Sequence, residues 1–225
     1  MRTTYDIQQG TDKWFALRLG VFTSSQIANL MTEPRSKKDK EAGLLSQTAI
    51  SYIESKAVEV IYGYQDTFTN AAMTWGNENE QNAKDAYEVI NGTTLTDGNF
   101  VKLGEFTGSS PDAYTEDGRG LVEIKCPYNP ANHLQNCIKL KDDTDLFKHH
   151  KQYYYQVHHQ LWIADKEYCD FVSFDPRLLS SDLYYKKALH SIRIERNREL
   201  DAIFEEKVNK AGEQRDLIID NFING

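Results

Sequence analysis

Residues 109–126 constrain the fold more than any other part of the chain. Two short β-favouring runs, Ser109–Tyr114 and Leu121–Cys126, flank Thr115-Glu116-Asp117-Gly118, whose Asp-Gly pair suits a tight hairpin turn. Alternate side chains on a strand share a face, so Glu123 and Lys125 project together while Ile124 turns into the core. If the two arms pair, Asp112 of Ser110-Pro111-Asp112 lies beside Glu123, eleven residues earlier in the chain.

The surrounding pattern supplies helices for such a sheet. Thr11-Asp12 caps a short helix carrying Trp14, Leu17 and Arg18 and ended by Gly20, and Thr23-Ser24-Ser25 opens a second turn over 26–31. The stretch 33–43 is polar, contains Pro34 and reads as a basic loop. Apolar residues at helical spacing from Leu45 to Tyr62 predict an amphipathic helix, and a second runs from Ala71 to Ile90, stopped by Asn91-Gly92. Strands are predicted at 93–95, 100–103, 109–114, 121–126, 168–174 and 190–194. Helices are predicted over 145–164 and 196–218. A central mixed sheet flanked by helices, in one α/β domain spanning 1–225, accounts for this order.

Composition sets limits on function. Hydrophobic residues make up 40% of the chain, enough for a packed core. No run approaches a membrane span, and Met1-Arg2-Thr3-Thr4-Tyr5-Asp6 has no apolar leader, so the expectation is a soluble, cytoplasmic protein without a membrane partner. The three cysteines, Cys126, Cys137 and Cys169, show neither a disulfide framework nor a zinc spacing. The pairs His149-His150 and His158-His159 point in different directions on a helix and do not converge on one ion. A formal net charge of −8 opposes a polyanionic partner overall, but a basic surface can be local, as at Arg35–Lys40, and a bound cation reverses the field of carboxylates.

Asp112, Glu123 and the backbone carbonyl of Ile124 form a hard oxygen set suited to Mg²⁺, with Lys125 placed to orient or deprotonate a water for in-line attack on phosphorus. A Pro-Asp pair alone is often a turn, and a Glu-x-Lys triplet alone is often a solvated face. Together, on one hairpin with apolar flanks, they fit the PD-(D/E)-x-K nuclease pattern.

Further motifs follow in order along nearly the whole chain. They are Trp14-Phe15-Ala16-Leu17-Arg18-Leu19-Gly20-Val21-Phe22-Thr23-Ser24-Ser25, Trp75-Gly76-Asn77-Glu78-Asn79-Glu80, Ser110-Pro111-Asp112, Glu123-Ile124-Lys125-Cys126-Pro127, the aromatic stretch 156–162, and Phe174-Asp175-Pro176-Arg177. This series resembles the phage lambda exonuclease family, the YqaJ-like viral recombinases of the PD-(D/E)-x-K superfamily. The resemblance implies a restriction-endonuclease-like fold and a Mg²⁺-dependent exonuclease, with Mn²⁺ able to substitute and two ions per site. Its substrate would be linear double-stranded DNA with a 5′-phosphate, digested 5′ to 3′ to leave 3′ overhangs. A homotrimeric ring and a single-strand annealing protein as partner are also implied.

By the same resemblance Asp112, Glu123, the Ile124 carbonyl and Glu80 are metal ligands and Lys125 is the catalytic lysine. Arg18, Ser25 and Ser110 form a 5′-phosphate pocket, for which an arginine fork and hydroxyl donors are chemically suited. Met73 corresponds to an apolar wedge at the terminal base pairs, Arg35 to a DNA-tracking arginine and Gln156 to a secondary DNA contact. His158 departs from the pattern, since relatives carry a second glutamine there. Two other readings stay open at this stage: an endonuclease or repair nuclease on the same core, and a DNA-binding module without catalysis.

Overall fold

The computed structural model describes residues 1–65 and 69–225. Along the chain, β1 (Arg2–Tyr5), α1 (Asp12–Arg18), β2 (Phe22–Thr23), α2 (Lys37–Glu41), α3 (Gln47–Tyr62) and α4 (Ala71–Asn91) precede a β-rich centre. That centre comprises β3 (Leu95–Asp97), β4 (Phe100–Leu103), β5 (Thr107–Ser109), β6 (Ala113–Thr115) and β7 (Gly120–Lys125). Then come α5 (Pro130–Lys139), α6 (Asp143–His149), α7 (Lys151–Ala164), β8 (Tyr168–Phe174), β9 (Leu189–Glu195) and α8 (Arg198–Asn224). No helix among the described residues is long and apolar enough to cross a membrane.

The strands form two mixed sheets, ordered β1-β4-β5-β2 and β3-β6-β7-β8-β9. The run expected as one strand over 109–114 is therefore two, β5 in the first sheet and β6 in the second. Pro111 divides them, because it has no N–H to give a ladder. The helix expected over 145–164 is likewise split at His150 into α6 and α7. A short helix, α2, lies within the expected loop 33–43, where the Ser36 side chain accepts the Asp39 N–H. Both β1 and α5 escaped the sequence reading, β1 because it is short and mostly exposed.

Three apolar clusters hold the layers together. One packs α6 and α7 on β7, β8 and β9 through Leu121, Leu146, Val157, Leu161, Phe171 and Ile194. A second joins α3 to α8 through Tyr52, Ile53, Phe204 and Val208, with Phe22 beneath. The third seats α4 on the opposite side of the second sheet through Ala83, Tyr87, Val122, Val172 and Phe174. Strands β7 and β8 are covered on both faces, so β8 is apolar or buried along its whole length.

α1 is fixed to α3 and α8 by a buried polar lock at Gly20. Its backbone has φ +68°, and a Cβ there would meet Val60 Cγ2 at 2.3 Å, so only glycine fits. Glu59 Oε2 accepts the Gly20 N–H at 2.9 Å, Lys56 Nζ donates to Glu59 Oε1 at 2.7 Å, and Arg215 Nη1 donates to the Gly20 carbonyl at 2.6 Å. Lys56 and Glu59 are both buried. Removing one partner of such a pair strands the other charge in the core. Glu59→Ala is expected to cost about 3–5 kcal/mol of stability, measured by urea denaturation; a loss below about 1 kcal/mol would contradict the lock.

Candidate active site

The hairpin β6–β7 builds the site. Its antiparallel register pairs Ala113 with Val122 and Tyr114 with Leu121. The next positions outward are Asp112 and Glu123, side by side where β6 begins. Asp112 Oδ2 accepts the Ile124 N–H at 2.6 Å, so the carboxylate takes the place of a ladder partner. Since N–H and C=O of one strand residue face the same side, the Ile124 carbonyl also opens toward Asp112.

Close packing holds the Pro111–Asp112 segment. The Gly98 N–H donates to the Asp112 carbonyl at 3.3 Å and Gln9 Nε2 to the Pro111 carbonyl at 3.1 Å. A Cβ at Gly98 would lie 1.7 Å from the Pro111 oxygen, so a side chain there would displace the segment that carries Asp112.

Glu123 is 2% exposed, and both its oxygens are engaged. Lys125 Nζ and Gln156 Nε2 each donate to Oε1 at 2.5 Å, and Gln160 Nε2 donates to Oε2 at 2.6 Å. The Lys125 ammonium also lies 4.9 Å from the centre of the Tyr153 ring. Gln156 and Gln160 are four residues apart on α7 and therefore share the face that meets β7. That spacing was visible in the sequence, yet only Gln156 was singled out from it. His158 and His159 face elsewhere: His158 Nε2 lies 3.0 Å from Asp143 Oδ1, and His159 sits between Ser24 and Thr107.

Glu80, on α4, is near but not gathered in. Its carboxylate pairs with Lys84 one turn on at 3.0 Å, and Lys84 also reaches Asp97 at 3.0 Å. Lys84 was absent from the sequence expectations. Among the described residues no three His, Cys, Asp or Glu side chains form a ready-made ion cage. The remaining donor set fits a hard divalent cation nonetheless. Two adjacent carboxylates are faced by a single ammonium, the Ile124 carbonyl lies on the Asp112 side of β7, and Gln160 Oε1 is buried with no protein donor.

Electrostatics expresses the same imbalance. Poor hydration, then repulsion from Glu123, raises the Asp112 pKa well above the ordinary 3.8, although Lys125 and the Ile124 N–H oppose the shift. For Lys125, desolvation works downward, but Glu123 and Asp112 outweigh it and the net shift is upward, so the ammonium is charged at neutral pH. Burial pushes the neighbouring Cys126 thiol up to about 12, leaving it protonated and unreactive.

The expected phosphate-pocket residues lie along one edge. Strands β2 and β5 are parallel, pairing Phe22 with Thr107 and Thr23 with Gly108, so Ser25 and Ser110 both follow the same end of that pair. Trp14 Nε1 donates to Ser110 Oγ at 2.9 Å, and the Arg18 guanidinium lies 4.0 Å over the Trp14 ring. Arg18 is thereby connected through Trp14 and Ser110 to the segment bearing Asp112. Burial lowers its pKa to about 10, which still leaves it a cation at neutral pH. Ser25 is exposed, with its hydroxyl 3.4 Å from that of Thr23.

Met73 is 48% exposed in the first turn of α4. Arg35 is exposed ahead of α2, in a basic stretch that is partly neutralised, because Lys40 pairs with Glu33 at 2.8 Å and Lys37 with Glu41 at 3.7 Å.

Fold and site together define a nuclease of restriction-endonuclease-like architecture. The sequence profile of the YqaJ-like viral recombinase domain matches residues 13–167. The chain belongs to that family. Among solved structures it is similar to an alkaline exonuclease from Laribacter hongkongensis, with 28% identity, 94% of this chain and 96% of that chain covered, and a TM-score of 0.76. The same exonuclease in complex with dAMP matches equally. A phage related exonuclease from Haemophilus somnus 129PT shares the fold, at 24% identity, 90% and 96% coverage and a TM-score of 0.73. No curated protein matches the chain by sequence.

The raised Asp112 pKa has a definite sign in metal-free protein. Below about pH 4 the group is protonated in folded and unfolded states alike and costs nothing. As pH rises toward its folded pKa, the unfolded chain ionises first and stability falls. Asp112→Asn lacks this penalty, so with chelator present its stability relative to wild type should grow from pH 4 to pH 7. Denaturant titrations across that range test this, and a difference independent of pH would contradict the buried carboxylate pair.

Proposed function

We propose that this chain is a Mg²⁺-dependent exonuclease that degrades linear double-stranded DNA from the 5′ end, leaving 3′ single-stranded overhangs for recombination. One observation carries the reading: Asp112 and Glu123 lie side by side with Lys125 at the open end of β7, beside an edge that bears Arg18 and Ser110. In this reading Asp112, Glu123 and the Ile124 carbonyl would hold Mg²⁺, or Mn²⁺ in its place, with Glu80 as the further carboxylate of a two-ion site. The ions, when bound, supply Lewis-acid stabilisation of the charge that develops on the phosphate and leaving oxygens.

The chain's own groups do the rest. Lys125 orients the attacking water and gives a charged donor to the developing oxyanion. The Ile124 N–H fixes the rotamer of Asp112, and the α7 amides fix Glu123. Arg18, Ser25 and Ser110 anchor a terminal 5′-phosphate, so that each cut leaves a new phosphate to refill the pocket. Met73, Arg35 and Gln156 contact the DNA. A homotrimeric ring would gather local cations such as Arg35 around a duplex despite the acidic total charge, and a single-strand annealing protein would receive the overhang. These last two proposals rest on the family resemblance.

Polarity separates this reading from other nucleases on the same core. A hydrogen bond to a charged group contributes about 1.5–3 kcal/mol, or roughly 10–100-fold in rate. Wild type should therefore digest 5′-phosphorylated duplexes about 10–100-fold faster than matched 5′-hydroxyl duplexes, and Arg18→Ala should erase most of that preference. Initial rates on the two substrates decide it. Equal wild-type rates, or a variant retaining the full preference, would remove Arg18 from the pocket.

A further inference from the structure

Gln160 is the least explained polar residue at the site. It is 1% exposed, lies on the inner face of α7 and spends its amide N–H on Glu123 Oε2 at 2.6 Å. Its own Oε1 is buried and meets no protein donor. Rotating the amide by a half turn would not relieve this, because it would set a carbonyl oxygen against the Glu123 carboxylate. The amide orientation is therefore fixed by the acid it serves.

Leaving a buried acceptor unpaired costs about 1–3 kcal/mol, and an apolar side chain of the same length would avoid that cost. A glutamine here is consistent with a task at Glu123. Lys125 and Gln156 both bind Oε1, so Gln160 is the sole side-chain donor to Oε2 among the described residues. A carboxylate oxygen has a second lone pair, so one amide can set its direction and leave it able to bind a cation.

We infer that Gln160 is a positioning residue that aims Glu123 Oε2 at a bound divalent cation, with its buried Oε1 left to accept a hydrogen bond from a water within the loaded site. The inference rests on the metal-dependent reading above. It concerns ion affinity as well as rate, because the clamp acts before any DNA arrives. Hydrogen-bonding partners of a ligating carboxylate typically account for 10–100-fold in metal affinity.

The test is Gln160→Met, which keeps length and volume but has no N–H. Mn²⁺ binding to DNA-free protein is followed by loss of the free-ion electron paramagnetic resonance signal, and thermal unfolding is recorded with and without the ion. The expected result is a variant that unfolds cooperatively without metal, binds Mn²⁺ about 10–100-fold more weakly, and loses most of the ion-induced rise in Tm. Unchanged Mn²⁺ affinity with a shifted metal-free Tm would make Gln160 merely structural and overturn the inference. If the variant does not fold, Gln160→Asn, whose shorter amide cannot reach Oε2 from the same backbone, must show the same loss of affinity. Wild type that binds no Mn²⁺ would overturn the metal reading itself, and this inference with it.

Discussion

Two carboxylates, Asp112 and Glu123, are forced together by one backbone register, and much of the structure serves to keep them there. The pairing of Ala113 with Val122 leaves no other place for them than the next rung of the hairpin. Neither is free to turn away: the Ile124 N–H holds Asp112, while Lys125 and two glutamine amides hold Glu123. A buried like-charge pair is unfavourable by itself. It persists because packing on both faces of β7 and β8 over-determines the strand that carries it.

The division of the strands into two sheets gives this pair its surroundings. At Pro111 the chain leaves the first sheet and enters the second, so the residue before it, Ser110, belongs to the edge shared with α1, while the residue after it, Asp112, belongs to the hairpin. Ser110, whose hydroxyl accepts the Trp14 indole N–H, and Asp112, which accepts the Ile124 N–H, are thereby set two residues apart on either side of Pro111. The lock of Gly20, Lys56, Glu59 and Arg215 ties the end of α1 to α3 and α8, and Arg18 lies over Trp14, whose indole N–H reaches Ser110. Preorganisation of this kind is what electrostatic catalysis requires, since donors already in place need not reorganise during reaction.

The hairpin was legible because its signals are local: an Asp-Gly turn, period-two alternation and a short separation. So were α3 and α4, whose ends are marked by Ser46 or Asn70 and by left-handed Gly63 or Gly92. The break at Pro111 was readable in principle, but apolar and β-favouring residues on both sides masked a change of sheet. Contacts between distant elements left no such mark. Lys84 on Glu80 can be suspected from helical spacing, whereas its reach to Asp97 depends on how α4 lies against β3. Gln160 carried a usable sign, its spacing from Gln156, but nothing in the sequence tells which face of α7 meets Glu123. The adjacent His158 and His159 show how sharply that face is defined, since they turn to Asp143 and Ser24 and not to Glu123.

We propose that the Asp112–Glu123–Lys125 centre hydrolyses DNA with a bound cation and from a defined end. Linear duplex labelled separately at each 5′ and 3′ terminus, incubated with wild-type protein in Mg²⁺ or in chelator, tests it most directly. The expected result is early release of the 5′ labels as mononucleotides, late loss of the 3′ labels, no cutting of closed circular duplex and no release in chelator. Release that survives chelation, begins at the 3′ ends or opens closed circles would contradict it.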